Sequence, residues 1–313
     1  MSRIINVAKH HIVLIMTALI FILASLTNSN FFTVNNMYGL MMQLPAYGIA
    51  ALALTFCLIG GELNISMGSI IALSGVVFAL VVGSYGFIAA LLVTLVVCAV
   101  LGAFTGAIVA YLKIDSFLTS LAMMIVIRGV ALVLSDAKPI VVSDSTTLII
   151  GSYTLGAIPI LTLLFIAIVF ISEYVLKHTV FGRNLYAIGG NAEMAKSIGL
   201  NVKLYKFLVF VIFGILACIG GIFLMARMNT GTPIVGEDAP LATIPMAIVG
   251  GAALSGGKGG ALKTLSGVVF MSLIFNIMQI FGISLDIQTF TRGAILLGVI
   301  IWDRYNANKN KKV

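Results

Sequence analysis

The chain has 313 residues, of which 61% are apolar and only 9% charged, whereas a soluble domain carries about a quarter charged residues to wet its surface. That balance excludes a soluble enzyme or nucleic-acid module and places the protein's work inside or across a bilayer. The net charge of +8 reads as the Lys and Arg excess that membrane proteins keep on the cytoplasmic side.

Apolar runs at 11–28, 37–59, 66–83, 87–112, 117–134, 159–177, 207–226, 241–254, 264–283 and 287–302 predict an all-α, polytopic membrane protein, a single transmembrane domain over 1–313 with ten spans. Each run is near the length of about 20 apolar residues that crosses the hydrocarbon core. The first follows Arg3 and Lys9, as a signal peptide would, yet no small-x-small cleavage site follows it, which favours a retained span. With the N-terminus inside, 14 of the 18 Lys and Arg fall in alternate loops on one side. Both termini are therefore expected in the cytoplasm. Cys57, Cys98 and Cys218 sit in apolar runs without CxxC spacing or a nearby His, and read as small core residues.

In chain order, the first polar break runs from Gly60 to Ser69. Irregular backbone at membrane depth survives only where it is buried in protein or lines a cavity. Glu62, Asn64 and Ser66 therefore either line a path or form a tight cytoplasmic turn. Arg128, near the middle of the fifth span, is expected to pair with backbone carbonyls or with Asp136 in a structural role, contact with substrate being the alternative. The stretches 135–158 and 227–240 are the long loops of the outer side and form candidate docking rims. The cytoplasmic loop 178–206 is the most polar region, with one short helix predicted over Asn191–Ile198. Asn191 caps it, Glu193 suits its first turn and Gly199 ends it. Met194 and Ile198 share one face. A helix this short needs a partner, either the lipid headgroups or a cleft on another subunit.

A second break, Gly250–Gly260, only superficially resembles a phosphate loop, because Ala252 and Gly259 fail the Walker spacing. Its glycines suit a tight turn and close helix packing, with Lys258 meeting lipid phosphates. Both breaks precede a Leu-Ser-Gly-Val-Val-Phe segment, at 73–78 and 265–270, a similarity on which nothing further rests. Asn276 and Gln279 form a polar patch that contacts either a hydroxylated solute or a neighbouring helix. Arg292 is expected to snorkel outward. Glu62, Glu173 and Asp286 lie at span ends and no carboxylate or His is mid-span, which weakens ion coupling. No catalytic constellation accompanies His10, His11 or His178.

Taken together, these motifs resemble the permease subunits of ribose-type sugar ABC importers, of the branched-chain amino acid/sugar permease superfamily. The family's break Gly-Glu-Ile-Asp-Leu-Ser-Val-Gly-Ser is matched by Gly61 to Ser69. Its cytoplasmic signature is matched from Gly182 and Arg183 through Tyr186, Gly189, Gly190 and Asn191 to Gly199 and Val202. The resemblance implies ten spans in a fold similar to the vitamin B12-type (type II) importer permeases. It also implies a path formed with a second permease copy or a related permease, a separate ABC ATPase on the cytoplasmic loops and an extracytoplasmic sugar-binding protein on the outer rims. In that picture 178–206 is the ATPase-coupling loop and its short helix, with Glu193, Met194 and Ile198, is the coupling element. Asn64, Ser66, Asn276 and Gln279 are candidate path residues. No cofactor is expected, ATP being bound by the partner, and the location is the bacterial cytoplasmic membrane. The chain departs from the family at Asn64, where Asp is usual, at Ser116 before Phe117, where Pro is usual, and at Ala239–Pro245, where two acids are lost and two prolines gained. The alternative from another class is an ATP-independent secondary transporter of a small polar solute.

Overall fold

The computed structural model describes residues 12–310; the charges at Arg3, Lys9, Lys311 and Lys312 used for orientation lie outside them. The helices are α1 (Ile12–Thr27), α2 (Val34–Ile59), α3 (Met67–Tyr111), α4 (Ser116–Leu134), α5 (Ser145–Ser152), α6 (Ile160–His178), α7 (Val180–Gly190), α8 (Ala192–Ser197), α9 (Val202–Met228), α10 (Ala239–Val249), α11 (Ala261–Ile280) and α12 (Leu285–Asn310). Among the described residues, seven of them, α2, α3, α4, α6, α9, α11 and α12, are long and apolar enough to cross a membrane. The chain is a polytopic helical membrane protein.

At 45 residues, α3 would measure about 68 Å if straight, more than twice the hydrocarbon thickness. It breaks instead at Gly86, with φ 77° and ψ 173°, a region open essentially to glycine alone. The contacts of α9 give the direction of each limb. A Cβ on Gly106 would meet Phe207 and Phe210 and one on Gly214 would meet Cys98, while Cys218 approaches Thr94; on the other limb Gly221 abuts Ile71 and Gly75 abuts Met225. The second limb is thus antiparallel to α9 and the first parallel, so Gly86 reverses the chain between the runs that the sequence separates. The close approach of α9 to both limbs relies on small residues, the usual means of packing helices in lipid.

The core is centred on α2, buried from Leu44 to Ile59 except for the half-buried Tyr47, which packs against α6, α9, α10 and α11. Cys57, Cys98 and Cys218 are all fully buried there, as their apolar setting predicts. The second limb of α3 turns Val93, Val96, Val100 and Phe104 outward. This apolar stripe at helical spacing is turned away from the core.

Three expectations need correction. The run 241–254 forms only the 11-residue α10, about 16 Å long, because the chain turns at Gly250 and Gly251 although the letters stay apolar. The loop 178–206 holds two helices, α7 as well as α8. The rim 135–158 is not merely irregular: it contains α5 and the pair β2 (Thr154–Leu155) and β3 (Ile158–Pro159), while β1 (Ile140–Val141) pairs antiparallel with β4 (Thr230–Gly231) and joins the two rims.

Candidate functional site

The short helix α8 forms as its caps require. Asn191 is extended, and its Oδ1 accepts the Met194 N–H at 2.9 Å. Glu193 sits in the first turn, and Gly199, at φ 87°, ends the helix while the Leu200 N–H bonds back to the Ala195 carbonyl at 3.1 Å. Ala195 is buried, whereas Met194 and Ile198 are 65% and 70% exposed. The helix is therefore anchored on one side and presents an apolar pair on the other.

Behind it, α7 is capped by Thr179, whose Oγ1 accepts the Gly182 N–H at 3.2 Å. Leu185 and Ile188, one turn apart, are buried while Arg183 is exposed. Three glycines in eleven residues conceal this helix in the sequence, and the signals that identify it are Thr179 and the Leu185–Ile188 spacing. The end of α7 meets both breaks. A Cβ on Gly189 would lie 1.7 Å from the Ile59 carbonyl oxygen, which itself accepts the Gly257 N–H at 3.0 Å. A Cβ on Gly257 would lie 2.8 Å from the Gly190 Cα. The Tyr186 hydroxyl donates to the Gly259 carbonyl at 3.1 Å. Burial first, and then the nearby Glu173 carboxylate, raises the Tyr186 pKa, which keeps that donor protonated. The second break is thus a packing turn, the role its glycines suggest.

In the first break, backbone N–H groups are satisfied by α4: Leu63 donates to Ser116 Oγ and Ile65 to Ser120 Oγ, both at 3.2 Å. Ser116, where the family usually has Pro, supplies one of these acceptors. Asn64 Oδ1 accepts from the Ser66 N–H at 2.9 Å and its hydroxyl at 2.7 Å. An amide oxygen can thus fill the accepting role here without a charge. Asn64 and Ser66 are each 1% exposed and are bonded to one another just ahead of α3. Glu62 is paired with Lys206 at the start of α9. A cavity of about 850 Å³ lies between this break and the back of α8, walled by Glu62, Lys113, Asp115, Glu193, Lys196 and Lys206 among others.

At the far end of the bundle, Asn276 and Asn36 exchange side-chain hydrogen bonds at 2.8 and 3.1 Å. Asn276 therefore joins α11 to α2. Gln279 accepts from Gln43 at 3.4 Å and stands on a cavity wall. Arg292 does not snorkel: it pairs with Asp238, and its guanidinium lies 4.8 Å from the Phe275 ring centre. Tyr47 donates to the other Asp238 oxygen at 3.0 Å. Two cavities of about 690 and 290 Å³ share Tyr47, Asp238, Leu285, Gln288 and Arg292. Tyr47, Gln43 and Gln288 are absent from any motif in the sequence; the one signal for them is a pair of polar letters a turn apart, at 43 and 47, within an apolar span. Nearby, Arg128 donates to the carbonyls of Pro233 and Val235, the latter at 2.8 Å. This is the structural role expected of it, filled by carbonyls and not Asp136.

Residues 36–302 match the family model described as "Branched-chain amino acid transport system / permease component". The chain is 33% identical over 305 residues to the L-arabinose transport system permease protein AraH of Escherichia coli (strain K12), covering 96% of this chain and 92% of that protein. It is 32% identical over 286 residues to the ribose import permease protein RbsC of the same organism, covering 90% and 89%. With the probable ABC transporter permease protein YphD, also of that organism, identity is 31% over 297 residues, covering 92% and 87%. No solved structure gives a significant match. The chain thus belongs to the branched-chain amino acid transport system / permease component family.

Proposed function

We propose that this protein is the membrane-spanning permease subunit of an ATP-driven ABC importer for a monosaccharide of the ribose or arabinose kind. Similarity to arabinose and ribose permeases over nine-tenths or more of the chain supports it, and the single structural observation that carries the mechanism is the exposed Met194–Ile198 pair on α8. An apolar pair on a capped, anchored helix suits a cleft on a partner. Its attachment through α7 to both glycine breaks offers a route from partner to spans.

In this reading the ATPase docks on 178–206 around Gly182, Arg183, Gly189, Gly190, Asn191, Glu193, Met194, Ile198 and Gly199. A sugar-binding protein docks on the rims 135–158 and 227–240 at the opposite end, and a second permease completes the path. The permease carries no ATPase site or cofactor of its own. The two limbs of α3, α1 and the other six long helices, together with the short α10 and the segment 229–238 that leads into it, make ten passages of the membrane, both termini cytoplasmic, in the B12-type arrangement and the bacterial inner membrane. ATP binding and hydrolysis then move α8 and open the path alternately to each side.

The test is copurification of the tagged chain with and without Glu193→Pro plus Met194→Pro. An ABC ATPase retained by the native chain and lost with the broken helix is the expected result. No ATPase with either chain, while the purified protein alone moves sugar in liposomes, would establish secondary transport instead.

A further inference from the structure

We infer that the two adjacent cavities that share Tyr47, Asp238, Gln288 and Arg292, with Gln279 on the smaller, are a contact site for the neutral, polyhydroxylated solute in transit. The inference rests on the importer reading and adds a point of recognition inside the permease itself. The larger volume, about 690 Å³, lies in the middle of the range of about 300–1,000 Å³ for small-molecule sites, and the smaller, about 290 Å³, at its lower edge. The wall combines amides, a phenol, a carboxylate and guanidinium groups with the Phe275 ring, a mixture of fixed donors and acceptors beside an apolar face. Asp238 and Arg292 neutralise one another, and Arg227 on the smaller cavity is offset by Glu237 on the larger, so the two walls together carry no net charge and favour hydroxyl groups over a charged solute.

Two features point to exchange with a ligand. Among the described residues, Arg292 Nε is the buried side-chain nitrogen or oxygen without a hydrogen-bond partner, a donor whose burial is costly unless something accepts from it. Moreover, Asp238, just ahead of α10, accepts from Tyr47 of α2 and pairs with Arg292 of α12, so three helices are tied through one carboxylate. Separating them with the site empty strips that carboxylate of its donors. Solute hydroxyls replacing Tyr47 and Arg292 keep it bonded while the helices part. A solute held in this way lowers the cost of opening, because it binds the open arrangement better than the closed one.

The reporter is Gln279→Cys, exposed on the wall, in the full-length chain with its ATPase in membrane vesicles. Cys57, Cys98 and Cys218 are buried and give little background. Labelling by a membrane-impermeant maleimide is followed without binding protein in D-ribose, in L-arabinose, or in sodium chloride of equal osmolality. Leu285→Cys, 77% exposed and shared by both cavities, is the second reporter. One of the sugars is expected to slow labelling about threefold at two-thirds occupancy. Asp238→Asn, placed on the reporter chain, should raise the protecting concentration about tenfold, the effect of losing a hydrogen bond to a charged group, whereas Tyr47→Phe, which removes the hydroxyl that the solute displaces from Asp238, should lower it. Rates unchanged by either sugar at both reporters would overturn the site. ATP-driven uptake by the same vesicles with binding protein added tests the importer reading separately. Protection without uptake keeps the site and removes the importer; uptake without protection does the reverse.

Discussion

Lys206 and Glu62 illustrate how one pair fixes a break at the edge of the bundle. Glu62 is 7% exposed, and its partner's side chain 29%. Removing one member of a fully buried pair costs about 3–5 kcal/mol, and partial exposure of Lys206 reduces the expected cost of Lys206→Ala to about 1–3 kcal/mol. Thermal unfolding in detergent checks this. Glu62→Gln combined with Lys206→Met should recover much of the loss, because no unpaired charge is then buried; a double variant no more stable than Lys206→Ala would refute the pairing. The sequence makes Glu62 conspicuous but not its partner, which is 144 positions away. Arg292 shows the same limit, since its pairing with Asp238 depends on how α10 and α12 meet.

The glycine contacts of α7 belong to the level of elements. A Cβ at Gly189 would collide with the Ile59 carbonyl, whereas one at Gly190, the next residue, would meet nothing within 4 Å. Gly189→Ala must therefore push α7 from α2 and the second break, at the cost of about 1–3 kcal/mol typical of overpacking. Gly190→Ala should stay within about 1 kcal/mol of the native chain, as a helix-end Gly→Ala change. Uptake and stability measured side by side check this pair. Equal effects at both positions would show that α7 does not pack as described. At α8 the cap and stop residues were legible because they act within a few positions. The helix α7 was hidden because its glycines resemble a turn until the surfaces they approach are known.

For the whole molecule, the reversal at Gly86 and the expected orientation make a joint prediction. Tyr85 is 76% exposed at the turn, so Tyr85→Cys should react with an impermeant maleimide from outside the cell, and Lys113→Cys, at the other end of the second limb, only after permeabilisation. The opposite pattern would invert the orientation, and labelling of both from one side would exclude a crossing between them. Composition and apolar runs by themselves determined a polytopic helical membrane protein and the break in α3, because lipid imposes length and polarity on each span locally, and the resemblance to the family was carried by motifs contiguous in the chain. Tertiary structure alone decided the rest: which polar residues are spent on one another, as Asn64 on Ser66 and Asn276 on Asn36, and which face a cavity, as Tyr47, Asp238 and Arg292 do. The physical reason is that a polar group in lipid must find a partner, and that partner is chosen by the packing of helices distant in the chain.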